Sequence, residues 1–276
     1  MVVAEAIRWV GTQLTTEGIS SARLTAEVLI AHVMGMDRSS LYCHFDEDLS
    51  KEQQYALGQL VKRRCNGTPT QYLTSSQEFF GLEFEVTPDV LIPRPETEHL
   101  VEHALEIADQ GNRIVDVGTG SGCIAIALKK NLPTAVVGAC DISQAALRVA
   151  ARNARRLGVS IDFFVGNLAG TVRRESLDLL ISNPPYVPLA NLAGLQRELY
   201  AEPATALFGG EDGLQNYQIL IPQAATALRS GGLLLLELDY QVRSAIEAML
   251  HPGEWEQSEV KQDLAHLDRV LIVRKK

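Results

Sequence analysis

Residues 113–123 read Arg-Ile-Val-Asp-Val-Gly-Thr-Gly-Ser-Gly-Cys, and the fold turns on that stretch. Arg113–Val117 is short and apolar, as a buried strand is, with Asp116 at its end. Gly118-Thr-Gly-Ser-Gly122 is a tight loop, because glycine lets the backbone turn sharply and approach a ligand closely. Cys123–Lys130 reads as the helix that follows. Downstream the alternation continues. Ala135–Cys140 is a strand with Asp141 at its end. Ser143–Leu157 is a helix capped by Ser143. Ile161–Val165 and Leu177–Ile181 are further strands. Gly213–Leu228 is helical, Gly231 and Gly232 turn the chain into Leu233–Leu238, and Trp255–Val260 with Arg269–Val273 suggests a closing hairpin. Strands alternating with helices predict an α/β fold, a doubly wound Rossmann-like sheet with helices on both faces.

A glycine loop between strand and helix, with a carboxylate at the end of the next strand, is a nucleotide-binding arrangement. Asp141 is placed to hold both ribose hydroxyls. The dinucleotide pattern Gly-x-Gly-x-x-Gly is not met, since Cys123 occupies its last place. Asp116 just before the loop would repel a pyrophosphate and attract an ammonium group. The loop therefore favours S-adenosylmethionine over NAD.

The second decisive stretch is Ser182-Asn-Pro-Pro-Tyr-Val187. Two prolines end the preceding strand abruptly, because proline has no N–H for the ladder and fixes φ. Asn183 is left where a parallel strand stops, which is where open α/β sheets place ligands. Asn183 offers an amide oxygen, Pro184 a carbonyl freed from sheet pairing, and Tyr186 a flat face. Together with Pro185 they suit a planar –NH2 group with two hydrogens to give. A Pro-Pro turn alone is more often only a turn; its position beside the glycine loop is what gives it chemical meaning.

The 276 residues allow one large domain and a small one. Residues 1–70 carry apolar residues at helical spacing in Val2–Leu14, Leu24–Met34 and Lys51–Arg64, with Ser20 or Ser21 and Ser50 as caps. They form a helical bundle without catalytic residues, so a substrate-docking role is expected. Residues 71–95 form a linker in which Glu78–Val86 alternates as a β-hairpin around Gly81. Residues 96–276 form the cofactor-binding domain, opened by a helix from Pro95 through Ala108. His99 and His103 stand four apart on that helix with no third ligand in view, so they read as surface residues and no metal is expected. No apolar run of about 18 residues is present, so no membrane span is expected. The four scattered cysteines, Cys43, Cys65, Cys123 and Cys140, fit reduced thiols in a cytoplasm. A net charge of −9 weighs against direct DNA binding, and the basic spots at Lys62–Arg64, Arg152–Arg156 and Arg173–Arg174 are short.

With these parts placed, the chain resembles class I S-adenosylmethionine methyltransferases that modify planar amines. It is most similar to the bacterial peptide chain release factor N5-glutamine methyltransferases. The likeness runs almost end to end: the helical N-terminus, Phe79-Phe-Gly-Leu82, Leu91-Ile-Pro-Arg-Pro-Glu-Thr-Glu98, the glycine loop, Asn-Pro-Pro-Tyr, and Glu202-Pro203 with Asp212-Gly213. The resemblance implies that Gly118, Thr119, Gly120, Ser121 and Gly122 hold the methionine portion, Asp141 the ribose, and Asn167–Leu168 the adenine. Asn183 would touch both cofactor and substrate. Many relatives carry an acidic residue in place of Asn167 and some an aromatic in place of Leu168. Leu168 can cover the adenine but cannot stack as an aromatic would.

The implied substrate is the glutamine of a Gly-Gly-Gln motif in class 1 release factors. Asn183 and Pro184 would grip its two N–H bonds and Tyr186 would pack on the amide plane. Two other readings share this chemistry. A ribosomal-protein glutamine N5-methyltransferase changes the protein substrate, and an adenine-N6 DNA methyltransferase would place a flipped base in the same pocket.

Overall fold

The computed structural model describes residues 1–194 and 196–276, without the Ala193 side chain. Its contacts divide the chain into two units, Met1–Ser76 with Gln196–Ala201, and Gln77–Leu195 with Glu202–Lys276.

In the first unit, apolar residues at every third or fourth position make helix α1 (Val3–Thr16) one-sided. It buries Val3, Ala6, Ile7, Val10 and Leu14. They meet Leu29 and Ile30 of α2 (Ala22–Met34), Leu41 of α3 (Arg38–Leu41), Leu57 and Val61 of α4 (Lys51–Cys65), and Leu73 of α5 (Thr70–Thr74). Ser50 caps α4 as its sequence predicts: its hydroxyl accepts the Gln53 N–H, and the Gln53 amide oxygen accepts the Ser50 N–H. The expected cap on α2 does not form. Ser21 occupies that position in a left-handed conformation, φ 54°, and its side chain makes no capping bond. Residues 196–201 belong to this unit, and there the buried Arg64 guanidinium meets Glu198.

The second unit begins with a two-stranded hairpin, β1 (Ser76–Phe79) and β2 (Leu82–Glu85). Phe80 and Gly81 both have positive φ, 52° and 71°. That is the turn whose twist suits a two-residue hairpin. Side chains hold this turn: Glu98 accepts the Phe80 N–H at 2.9 Å and Glu78 the Gly81 N–H at 2.6 Å.

The remaining elements are α6 (Glu96–Ile107), β3 (Arg113–Val117), α7 (Cys123–Asn131), β4 (Val136–Asp141), α8 (Gln144–Arg156), β5 (Asp162–Val165), β6 (Leu177–Ser182), α9 (Ala204–Leu207), α10 (Gln215–Ala227), β7 (Leu228–Glu237), α11 (Arg243–Met249), β8 (Glu259–Gln262) and β9 (Asp268–Arg274). Seven strands form one sheet in the order β5-β4-β3-β6-β7-β9-β8. The first five are parallel; β9 and β8 close the edge as an antiparallel pair. Side chains alternate between two buried clusters. Ile114, Ile181 and Leu235 join α6 and α7 on one face, while Val115, Leu180, Leu234 and Leu236 join α10 and α11 on the other. The sheet is thus doubly wound.

Gly231 and Gly232 do not introduce the strand, as the sequence suggested. β7 starts at Leu228, straight from α10, and both glycines sit in a bulge where pairing with β6 jumps from Leu177–Leu228 to Leu179–Leu233. Gly231, at φ 77°, makes the excursion possible, and Lys275 pairs with both glycines through its backbone.

The topology positions the site. β3 has β4 on one side and β6 on the other, so successive connections leave its end in opposite directions. This is the switch point where a crevice opens at the carboxyl ends of the strands. Val117 stands opposite Ser182 in the register, and the Ser182 hydroxyl donates to the Val117 carbonyl at 2.7 Å. The residues that follow, Gly118 and Asn183, therefore leave neighbouring strands side by side.

Candidate active site

A cleft of about 280 Å³ opens at this switch point. Among the residues singled out in the sequence, Gly118, Asp141, Asn167, Leu168, Asn183 and Pro185 line it, joined by Asp89, Leu91, Pro203 and Asn216. The glycine turn and the double-proline turn thus face one cavity. Thr119, Gly120, Ser121, Gly122, Pro184 and Tyr186 are not among its lining residues.

The loop explains its own composition. Gly118 and Gly120 have φ of 74° and 55° with open space where a Cβ would lie, so conformation alone requires glycine there. Gly122 answers to packing as well: a Cβ would lie 3.1 Å from both the Ala150 Cβ and the Ile126 Cδ1. Thr119 and Ser121 are buried, and the Thr119 hydroxyl donates to Asp116 Oδ2 at 2.6 Å. The Ala125 N–H, in the first turn of α7, also points at Oδ2, at 3.3 Å. Asp116 Oδ1, fully buried, has no partner among the described residues. Burial pushes this carboxyl up to about 7, and the nearby Asp141 adds to the rise.

Asp141 ends β4 with its carboxylate held from both sides. Oδ1 accepts the Ser143 N–H at 2.8 Å and Oδ2 the Gly120 N–H at 2.9 Å. Each oxygen keeps a lone pair for a further donor, which is what a vicinal diol needs. Leu168 forms part of the opposite wall. It holds a left-handed conformation, φ 53°, a strained choice for a leucine. Its carbonyl takes the Cys140 thiol at 3.3 Å.

The Asn-Pro-Pro-Tyr segment is anchored along its length. The Asn183 side-chain NH2 donates to Thr97 Oγ1 at 3.0 Å, which leaves Oδ1 for another donor. The Pro185 carbonyl accepts from the Asn216 amide at 2.7 Å. Val187 exchanges backbone bonds with Leu207 and Gly209. Between these anchors, neither Asn183 Oδ1 nor the Pro184 carbonyl is claimed by any described residue. Tyr186 is half-buried on the α10 side of the sheet, with its hydroxyl 3.5 Å from Glu237 Oε1.

Four contributors had no role in the sequence reading, although Thr97 and Glu202 stand in stretches it quoted. Thr97 sets the Asn183 amide. Asn216 holds Pro185. Glu202, buried, accepts the Ile92 N–H at 3.0 Å and pairs with Arg94 at 2.5 Å, which fastens the Ile-Pro-Arg-Pro segment beside the cleft. Glu237, 2% exposed, ends β7 one strand over from Asn183, and burial pushes its carboxyl up to about 7. The signal for Glu237 was present: a lone carboxylate closes the apolar run Leu233–Leu236, just as Asp141 closes β4, while Asp116 stands one residue before the end of β3. His99 and His103 pair with Glu102 and Glu106 on their own helix.

The cleft therefore offers a backbone turn, a carboxylate with lone pairs to spare, an apolar wall and the free Asn183 Oδ1 at a strand end, with the Pro184 carbonyl next to it in the chain. Comparison with known proteins points the same way. Residues 5–74 match the model of the PrmC N-terminal domain and residues 95–251 that of the methyltransferase small domain. A methyltransferase from Pyrococcus furiosus shares the fold, with a TM-score of 0.55 over 72% of this chain and 90% of its own, at 20% identity. A release factor glutamine methyltransferase of Geobacter sulfurreducens is 40% identical over 270 residues, 98% of this chain and 95% of that protein. Its counterpart in Moorella thermoacetica is 42% identical over 275 residues, 98% of this chain and 96% of that protein. With likeness of that degree from end to end, the chain belongs to the release factor glutamine methyltransferase family.

Proposed function

We propose that the protein transfers the methyl group of S-adenosylmethionine to the side-chain amide nitrogen of glutamine in the Gly-Gly-Gln motif of class 1 release factors. One observation carries this reading: Asn183 Oδ1 stands unclaimed at the end of β6, in the cleft that Gly118 of the glycine turn also lines, and the adjoining Pro184 carbonyl is unclaimed as well.

The residues fit the cofactor. Asp116 Oδ1 is a buried acceptor without a partner, suited to an ammonium group. Asp141 has the two lone pairs a ribose diol requires, and Asn167 and Leu168 of the same cleft would border the adenine, Leu168 offering it an apolar face. Bound S-adenosylmethionine supplies an electrophilic methyl on its sulfonium sulfur. The chain's own part is to make a poor nucleophile attack. An amide nitrogen shares its lone pair with the carbonyl. Two acceptors that take both N–H bonds fix the nitrogen and turn its open face to the methyl. As positive charge develops on nitrogen, both N–H bonds become stronger donors, so Asn183 and Pro184 stabilise the transition state more than the ground state. The methylated nitrogen is acidic enough to release its proton to water, and no side-chain base is needed. Tyr186 packs beside the amide plane.

The helical unit serves as the docking surface for the release factor, since it holds a core but no reactive constellation. Activity on the intact factor then exceeds that on a short Gly-Gly-Gln peptide, and removal of residues 1–70 abolishes the difference while peptide activity persists. Methylation of this motif places the protein in translation termination, in the cytoplasm; no described helix is long and apolar enough to cross a membrane. The central test is Asn183→Ala. Single-turnover methyl transfer to a purified release factor should fall on the order of 10²-fold, as for loss of one preorganised polar group, while cofactor affinity by titration changes far less. Equal losses in both would remove Asn183 from the chemistry.

A further inference from the structure

Strand order bears on where the substrate chain lies. The cleft is lined by residues that follow β3, β4, β5 and β6, and none of its lining residues belongs to β7, β8, β9 or the turns after them. With a cofactor in that cleft, the carboxyl end of the sheet beyond Asn183 is left for the chain that brings the glutamine. Those neighbouring strands end in step. Ser182 pairs with Leu236 and Glu237 with Val270, and the Leu238 N–H donates to the Arg269 carbonyl at 2.9 Å. Past that last bond stands the turn that joins β8 to β9, residues 263–267.

Asp263 locks this turn. Its Oδ1 accepts the Ala265 and Leu267 N–H groups at 2.8 and 3.0 Å, and its Oδ2 accepts the Arg269 Nε–H at 2.8 Å. Its own N–H donates to the Leu267 carbonyl at 2.9 Å. On a turn so held, Leu264 is 95% exposed. A single exposed leucine on a surface is ordinary. This one is fixed in place at the end of the sheet that carries Asn183, as is the exposed Tyr240, three residues past β7. Two carboxylates belong to the same region. Glu96 opens α6 beside Thr97, which bonds to Asn183, and Asp239 follows β7. Neither forms an ion pair among the described residues. They favour a positively charged occupant and repel a phosphate backbone, so the occupant is a polypeptide.

Sheet geometry sets the reach. β9 lies two strands from β6, and the turn rises past the strand ends, so Leu264 stands about 10–15 Å from Asn183. An extended chain covers that span in about three to five residues. We propose that Leu264 is a second contact for the protein substrate, packing against an apolar side chain about three to five residues from the reactive glutamine, in a segment whose positive charge meets Glu96 and Asp239. A locked turn spares the ordering cost that a flexible loop would bring to such a complex. The inference rests on the release factor as substrate.

The test uses the full-length protein with saturating S-adenosylmethionine. The substrates are a purified release factor, a long peptide with about five residues on each side of the Gly-Gly-Gln motif, and a peptide of the bare motif. Failure of the wild-type protein to methylate the factor would end the underlying reading, and the proposal with it. With wild-type activity in hand, Leu264→Ser should raise KM for the factor on the order of tenfold, while kcat and cofactor affinity stay within about twofold of wild type. An exposed side chain supports no core, so thermal unfolding should be unchanged. On the long peptide kcat/KM should fall by a similar factor, and on the bare motif it should equal that of wild type. Glu96→Gln combined with Asp239→Asn should flatten the fall of kcat/KM with added salt on the long peptide. Wild-type KM for the factor in Leu264→Ser would overturn the proposal. So would an equal loss on the bare motif, a loss on the factor that is absent from the long peptide, or a salt dependence that survives both carboxamide substitutions.

Discussion

Gly213→Ala tests how tightly the substrate loop is held. Gly213 sits at φ 81°, and a Cβ there would lie 2.3 Å from the Tyr186 carbonyl oxygen and 3.3 Å from the Pro188 Cγ. Ordinary contact is about 3.4 Å or more, so roughly 1 Å of movement is required, and the obstacle is backbone that cannot rotate aside. The left-handed φ alone costs an alanine about 1 kcal/mol. Displacing the packed backbone adds about 1–3 kcal/mol. Gly158→Ala is the matched control, since Gly158 has φ 69° with open space around a Cβ. Urea unfolding should show Gly158→Ala about 1 kcal/mol less stable than wild type and Gly213→Ala about 2–4 kcal/mol less stable. The larger effect should be on catalysis. The displaced carbonyl belongs to Tyr186, two residues from Pro184, and a misplacement of about 1 Å can cost on the order of 10²-fold in rate. Single-turnover transfer should fall by that order in Gly213→Ala and remain at the wild-type rate in Gly158→Ala. A Gly213→Ala enzyme with the wild-type rate would refute the claim that the 209–213 loop holds the Asn-Pro-Pro-Tyr backbone in register.

Cofactor binding should release a proton near neutral pH. Asp116 at about 7 is partly protonated before binding, and an ammonium beside Oδ1 favours the ionised form; calorimetry in buffers of different ionisation enthalpy should detect the release, and Asp116→Asn should abolish it. Without cofactor the same group makes folding less stable as pH rises from about 4 to 7, because its folded-state value lies above the unfolded 3.8 and the folded state holds the extra proton; denaturant titrations across that range should show the slope shrink in Asp116→Asn. Glu202→Ala strips Arg94 of its partner and frees the Ile92 N–H, so stability should fall by about 2–3 kcal/mol, discounted for the partly exposed arginine, and cofactor affinity should weaken as the Asp89–Leu91 wall loosens. Tyr186→Phe should keep kcat within a fewfold of wild type because its hydroxyl reaches only Glu237, at 3.5 Å, whereas Tyr186→Ala should lose on the order of tenfold.

The parts of this fold that could be read from the chain are those whose cause is local. Glycine at positive φ, a proline pair ending a strand, Ser50 capping its helix and carboxylates closing apolar runs each act within a few residues. They place Gly118, Asp141 and Asn183 correctly at three strand ends. The placements that were missed depend on partners far away in sequence. Thr97 meets Asn183 across 86 residues, and Glu202 reaches Ile92 across 110. No periodicity encodes such pairs. The errors have the same origin. Ser21 has a good capping side chain, but its left-handed backbone turns that side chain away from the helix. Gly231 and Gly232 look like a turn because the backbone pairing with Lys275, which makes them a bulge, lies more than 40 residues on.

Glu237 marks the border between the two classes. Its local signature is the same as that of Asp141, a lone carboxylate as the last residue of a buried strand. Leu234, Leu235 and Leu236 are fully buried, about 1.5–3 kcal/mol apiece. A slip of one residue would exchange their faces, so this packing locks the register that delivers Glu237 to the strand end. What the signature does not reveal is the direction of influence. Asp141 lines the cleft, whereas Glu237 does not and meets the Tyr186 hydroxyl at 3.5 Å instead. Strand-end carboxylates in a doubly wound sheet are thus set in place by one mechanism and divided in role by another. Strand order decides which of them borders the cleft and which lies behind the turn that follows β6.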